Sequence, residues 1–163
     1  MKKSIVSKLA VVCLTAVVAI GGVSAPASAK SKGYVFKYKG VSVTMNGAAK
    51  KLIKKAGKPS EKTVKKSCAY KGKDRTYTYK DFQLKTYSKT NNGAEYVSEI
   101  RFRSNKAVTK EGIRIGSSLK DVTKKYGKAK ARFGVYTFKK GSSKLQIMLN
   151  GNKVSAIRYF ASK

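Results

Sequence analysis

The sequence predicts an α+β fold built from two tandem units, each a short helix followed by antiparallel strands. Three observations predict it. A pattern of Gly, extended β-branched segment, turn, Lys-rich helix and stopping Gly occurs twice, over residues 40–57 (GVSVTMNGAAKKLIKKAG) and 112–127 (GIRIGSSLKDVTKKYG). Tyr77-Thr78-Tyr79-Lys80 is matched by Tyr136-Thr137-Phe138-Lys139. Val97-Ser98-Glu99-Ile100-Arg101-Phe102 is matched by Val154-Ser155-Ala156-Ile157-Arg158-Tyr159. Helix, hairpin and closing strand keep the same order both times, the mark of an internal repeat. The expected units are residues 30–104 and 105–163, after an N-terminal segment of residues 1–29.

That segment reads as a secretory signal peptide. Lys2, Lys3 and Lys8 precede an apolar run from Leu9 to Ile20, and Ala27-Ser28-Ala29 supplies the small-residue cleavage signature. The run is short for a membrane span, which needs roughly 20 residues. Cleavage is expected after Ala29, giving an exported, cell-wall-associated protein. Removing Lys2, Lys3 and Lys8 lowers the formal charge from +31 to +28. The seven acids all lie between Glu61 and Asp121, so both ends of the mature chain are purely basic. Such a charge opposes compaction and attracts polyanions. Cleavage also leaves Cys68 as the lone cysteine, which excludes an internal disulfide. Strand alternation from Lys65 to Tyr70 would bury it beside Tyr70.

The elements follow from periodicity. Tyr34, Phe36 and Tyr38 alternate with Lys37 and Lys39, a strand-like lead-in. Asn46 is placed to cap a helix over Ala48–Ala56, where Ala49, Leu52, Ile53 and Ala56 form one apolar stripe. Gly57 and Pro59 end it. Lys65–Tyr70 is the next strand candidate. Thr76–Tyr87 reads as a hairpin turning at Lys80-Asp81, and Thr90-Asn91-Asn92-Gly93 as a turn. Tyr96–Arg103 follows, with Ser98, Ile100 and Phe102 on one face and Glu99, Arg101 and Arg103 on the other. Ser104–Lys110 connects the units. Ser117 or Ser118 caps the second helix, and Ser118-Leu119-Lys120-Asp121 has capping-box spacing. Leu119, Val122 and Tyr126 form its apolar stripe. A meander of Val135–Lys139, Leu145–Leu149 and Val154–Phe160 closes the chain.

The chemistry argues against an enzyme. Histidine is absent, which removes the usual general base and the commonest metal ligand. No cysteine or acid cluster has zinc spacing, and no phosphate loop or dinucleotide glycine pattern occurs. Ser117-Ser118-Leu119-Lys120 fits the S-x-x-K nucleophile motif, but S-D-N and K-T-G partners are missing, so the serines read as helix caps. Asp74, Asp81, Glu95 and Glu99 select no glycosidase-like pair and are expected to neutralise neighbours such as Arg75, Arg101 and Arg103. No cofactor is expected.

The strongest functional feature is a basic strip. Arg101, Arg103 and Arg158 should project from equivalent closing strands, opposite Ile100, Phe102, Ile157 and Tyr159, with Lys85 beside them. An anionic cell-wall polymer or a membrane surface is the expected partner. Nucleic acid is a weaker one, since Tyr and Phe interleaved with Lys at residues 34–39 and 77–85 also fit core strands.

Helix followed by antiparallel strands, in tandem, resembles the β-lactamase inhibitor protein fold and the outer-membrane-assembly lipoprotein module of the same topology. Ser67-Cys68-Ala69-Tyr70, Asp74 and Thr76-Tyr77-Thr78-Tyr79, followed by the residue 112–127 pattern, look like small exported Gram-positive proteins of unassigned activity. The resemblance implies one continuous curved antiparallel sheet, helices on one face, and an open concave face that contacts a protein or glycan. The chain departs from the inhibitors in its missing disulfides and basic surface, so no inhibitor contact residues carry over. The expected function is that of a non-catalytic secreted binding protein held at the envelope by its basic surface. The alternatives are a secreted hydrolase inhibitor and an extracellular nucleic-acid binder.

Overall fold

A computed structural model describes residues 33–162; the expected signal peptide and its cleavage point lie outside them. Nine strands and two helices run in the order β1 (Val35–Tyr38), β2 (Val41–Thr44), α1 (Lys50–Ala56), β3 (Glu61–Lys66), β4 (Lys73–Thr78), β5 (Phe82–Ser88), β6 (Glu95–Phe102), α2 (Leu119–Tyr126), β7 (Val135–Lys140), β8 (Ser143–Asn150) and β9 (Lys153–Ala161). β1 and β2 pair as a separate hairpin. The other seven form one antiparallel sheet in the order β3-β4-β5-β6-β9-β8-β7. The fold is therefore α+β.

Sheet continuity rests on β6 and β9, which pair through Glu99↔Phe160, Ile100↔Tyr159 and Arg101↔Arg158. Beyond this short ladder the two strands take other partners. Asn46 N–H donates to Val97 O, Val97 N–H to Gly47 O, and Ala49 N–H to Glu95 O. On β9, Gly116 N–H donates to Val154 O, Val154 N–H to Ser117 O, and Leu119 N–H to Asn152 O. The chain entering each helix thus continues the ladder in the same manner. The left-handed residue is Asn46 in one case (φ 62°) and Gly116 in the other (φ 93°), two residue types that tolerate this conformation.

A bulge falls at the same place in both closing strands. Lys85 pairs with Glu99 but Thr86 with Val97, leaving Ser98 as the extra residue. Met148 pairs with Ala156 but Leu149 with Val154, leaving Ser155 extra. Strict alternation would place Val97 and Ile100 on opposite faces. The bulge turns both inward, and Val97, Ile100, Val154 and Ile157 are all buried. Ser98 does not share a face with Ile100 and Phe102 as simple alternation predicts, because the extra residue resets the phase.

One core covers one face of the sheet. Phe82, Leu84, Ile100, Phe102, Leu145, Ile147, Ile157 and Tyr159 point into it, with Leu52 from α1 and Val122 from α2. Tyr126 of α2 packs on Phe138, their ring centres 5.2 Å apart. The β1–β2 hairpin lies in the same layer. It turns at Lys39-Gly40, where two positive φ angles give a tight hairpin turn. Its Phe36 has no exposed surface and meets Phe82, Phe102 and Tyr159 at 5.2, 5.6 and 6.4 Å. Tyr34 N–H donates to Ser143 Oγ at 2.6 Å, so the first strand reaches across to β8. The connection between the expected units is not a free linker either: Ala107 and Thr109 are buried, and Thr109 bridges to Phe36.

Three local expectations are corrected. Asn46 does not cap α1, because its left-handed backbone feeds the ladder to Val97; Ala49 stands at the cap with no side-chain bond. The third strand is Glu61–Lys66, not Lys65–Tyr70, because Ser67 N–H donates to Gly72 O and closes a loop that leaves the sheet. Cys68 sits in that loop and is exposed, not buried by strand alternation. The second helix is capped by Ser118, one of the two serines read from sequence as candidates. Its hydroxyl accepts Asp121 N–H at 3.1 Å; in return Ser118 Oγ donates to Asp121 Oδ2 at 2.6 Å and Ser118 N–H at 3.1 Å, and these two donated bonds hold the Asp121 carboxyl below its ordinary range.

Two outcomes test this layout. Phe36→Ala empties a fully buried aromatic position and is expected to lower unfolding free energy by about 3–5 kcal/mol in urea titration; a loss of under about 1 kcal/mol would mean that the lead-in hairpin is not part of the core. A thiol reagent is expected to label Cys68 completely without denaturant; protection in the native protein would contradict the exposed loop.

Candidate anion-binding face

The sheet face opposite the core carries polar and charged side chains in two adjacent cross-strand rows. The strand register gives one row as Lys139, Lys144, Phe160, Glu99, Lys85 and Thr76. The other runs Thr137, Gln146, Arg158, Arg101, Gln83 and Thr78. Neighbouring strands lie about 4.8 Å apart, so successive members of a row are in reach of one another.

Glu99 occupies the centre. Arg158 Nη2 donates to its Oε2 at 2.8 Å, Arg101 Nη2 lies 3.5 Å from Oε1, and Lys85 Nζ lies 3.6 Å from Oε1. Glu99 is only 7% exposed, while the three cations around it remain partly open to solvent. Arg101 and Arg158 face each other directly across β6 and β9. Like charges in opposed positions destabilise a sheet. At an effective dielectric near 20, a unit charge pair at about 4 Å is worth at most about 4 kcal/mol, and solvent screening of these partly exposed arginines reduces it well below that. Glu99 supplies the counter-charge to both members of this pair. It offsets one charge of three and leaves the group with an excess of two. Its Oε1 and Arg158 Nε are buried without a hydrogen-bond partner, so donor and acceptor capacity is left over at the centre.

Arg158 also covers the ring of Phe160 at 4.8 Å, and Lys144 approaches the same ring at 5.8 Å. Phe160 thus holds two cations on the face by cation–π attraction. The position of β9 equivalent to Glu99 in the V-S-x-I-R pattern is Ala156, so that half supplies no second carboxylate.

The structure brings Lys85, Arg101 and Arg158 together as read from sequence. Arg103 does not join them. β6 ends at Phe102, and the chain turns away as Arg103 and Ser104 N–H groups donate to Asp81 O. Sequence reasoning missed Lys139, Lys144 and Phe160. Alternation along β7, β8 and β9 carried that signal, because each lies opposite buried Phe138, Leu145 and Tyr159.

The remaining acids are mostly engaged in internal bonds. Glu95 accepts from Tyr77 and Thr86 hydroxyls at 2.9 and 2.7 Å and lies 3.5 Å from Arg75 Nε. Burial, with Glu95 beside it, pushes the Tyr77 hydroxyl far above its ordinary range. Asp81 accepts from Tyr38 and Ser104, not from Arg103, and Glu111 accepts from Tyr126. Ser117 Oγ accepts Arg114 N–H at 3.0 Å, a turn-forming role.

Among the described residues, no group of three His, Cys, Asp or Glu side chains is placed to hold a metal. Among them too, no helix is long and apolar enough to cross a membrane. Comparison with protein families, curated proteins and solved structures found no match to the chain.

Glu99→Gln is expected to lower stability by about 1–3 kcal/mol at low salt, because Arg101 and Arg158 then lack a counter-charge. Added inorganic phosphate should recover most of the loss. A deficit indifferent to phosphate would contradict an under-neutralised cation group.

Proposed function

We propose that this is an exported, non-catalytic binding protein, cleaved after Ala29 and retained at the cell envelope by a phosphate-bearing polymer lying on its open sheet face. The observation that carries this reading is the pair of cross-strand rows, in which Lys85, Arg101 and Arg158 surround one carboxylate and Lys144 and Lys139 extend the same row beyond Phe160. A solvated basic surface needs no such concentration. Here the like-charged pair sits at the junction of the sheet, where it destabilises the fold unless negative charge is supplied.

The tandem reading belongs to the same proposal. The three matching ladder bonds ahead of each helix, the matching bulges at Ser98 and Ser155, and the matching V-S-x-I-R strands support two related helix-plus-sheet units. On that reading Arg101 and Arg158 are equivalent residues meeting where the units join. One basic position in an ancestral unit then becomes a double site. An enzyme or a hydrolase inhibitor would not by itself call for this arrangement.

The test is retention of purified protein on cell-wall sacculi with and without teichoic acid, over a salt series. Retention is expected to require the teichoic acid and to fall steeply with salt. Arg101→Ala/Arg158→Ala should reduce the slope of log affinity against log salt by about two, one for each lost contact. Lys51→Ala/Lys55→Ala on the exposed side of α1 removes the same charge and should have a smaller effect. Equal losses from both double variants would mean that net charge, not this face, governs retention.

A further inference from the structure

Beside the cation group, the open face carries a cleft of about 470 Å³ whose lining differs in kind. Lys85 stands at the boundary: its ammonium pairs with Glu99, and its side chain also lines the cleft. Thr76 and Ser98 contribute hydroxyls, and Asp74 a carboxylate. Asp74 is exposed and makes no side-chain hydrogen bond or ion pair among the described residues. The wall is aromatic. Tyr70, on the loop after β3, stacks on Tyr87 with ring centres 5.0 Å apart and planes 15° apart, and Tyr87 meets Tyr96 at 5.6 Å. Tyr70 is 42% exposed, an aromatic platform with one open side.

This lining suits a ring with many hydroxyls. A free carboxylate accepts two hydroxyl hydrogens, threonine and serine complete the set, and an aromatic platform takes an apolar C–H face. It suits a phosphate less than the neighbouring group does: of its two cations, Arg75 is held by Glu95 and Ser88 and Lys85 by Glu99, and Asp74 adds a negative charge. A nucleobase could stack on the open side of Tyr70 but would leave the Asp74 carboxylate and the Thr76 and Ser98 hydroxyls less fully used than a ring with many hydroxyls does.

Resting on the envelope-polymer reading above, we infer that the cleft holds a sugar unit of the polymer while the adjoining Arg101–Arg158 group holds its phosphate. The two subsites share Lys85, so one repeat of a phosphodiester-linked, sugar-bearing chain addresses both. The ligand is then distinguished from bare polyphosphate by the cleft and not by charge.

Calorimetric titration at constant ionic strength tests this with three probes: bare poly(glycerol phosphate), the same polymer carrying glucosyl groups, and a single-stranded oligonucleotide of equal charge. The glucosylated polymer should bind about tenfold more tightly than the bare one. Tyr70→Ala alters an exposed loop residue; it should abolish that preference and leave the bare polymer bound within about twofold of wild type. Asp74→Asn should also reduce the preference. Equal affinity for both polymers in the wild type would overturn the sugar subsite while leaving the envelope reading intact. Binding of neither polymer would overturn the envelope reading and this inference with it. An oligonucleotide bound more tightly than the glucosylated polymer, and weakened by Tyr70→Ala, would assign the platform to a base and overturn the sugar.

Discussion

Three residue pairs join β6 to β9, and the rest of the molecule is arranged around them. Ile100↔Tyr159 places two large side chains in the middle of the core, where Phe36 and Phe102 close over Tyr159. The flanking pairs point the other way and set Glu99, Arg101 and Arg158 together on the open face. Stability and charge display are thus consequences of one ladder. It is short because each closing strand gives the rest of its edge to the chain entering a helix. The bulges allow this by turning Val97 and Val154 inward without reversing Ile100 and Ile157.

Charge placement follows from scarcity of acid. With seven carboxylates against 38 basic side chains, most cations have no internal partner. Four carboxylates are taken by internal hydrogen bonds: Glu95 under Tyr77 and Thr86, Asp81 beside Tyr38, Glu111 beside Tyr126, and Asp121 at a helix start; Glu61 and Asp74 stay exposed. Glu99 alone is given to the centre of the open face. The lysine-rich strand β3, exposed along most of its length, has a separate value, since charge on an edge strand discourages pairing with another sheet. Screening limits these effects to about 8–10 Å at ordinary ionic strength. The rows of the open face lie within that range of each other, whereas the lysines on the solvent side of α1 belong to a different surface.

Much of this was legible from sequence because it depends on short-period patterning. The helix stripes, the β4–β5 hairpin, the closing meander and the face bearing Arg101 and Arg158 all follow from alternation or helical spacing. So does the Ser118 cap, whose chemistry is local. What was not legible depends on pairing between distant residues. Asn46 has the composition of a cap, but its backbone is claimed by Val97, 51 positions away. Cys68 looks like a strand residue until the Ser67–Gly72 bond closes its loop. Arg103 keeps the strand period in sequence, but Asp81 takes its backbone and bends the chain off the face. The role of Glu99 needed both neighbouring strands, although its side of the sheet was readable. The Tyr70 platform was hidden because it joins the loop after β3 to the far end of β5.

On the proposed reading an anionic partner lies over the β5–β6–β9 face. Mapping amide chemical shifts during titration with poly(glycerol phosphate) addresses it directly. Perturbations are expected to concentrate at Lys85, Glu99, Arg101, Arg158 and Phe160, with α1 nearly silent. Shifts spread evenly over the lysines of α1, β3 and the open face would contradict it and reduce the binding to charge alone.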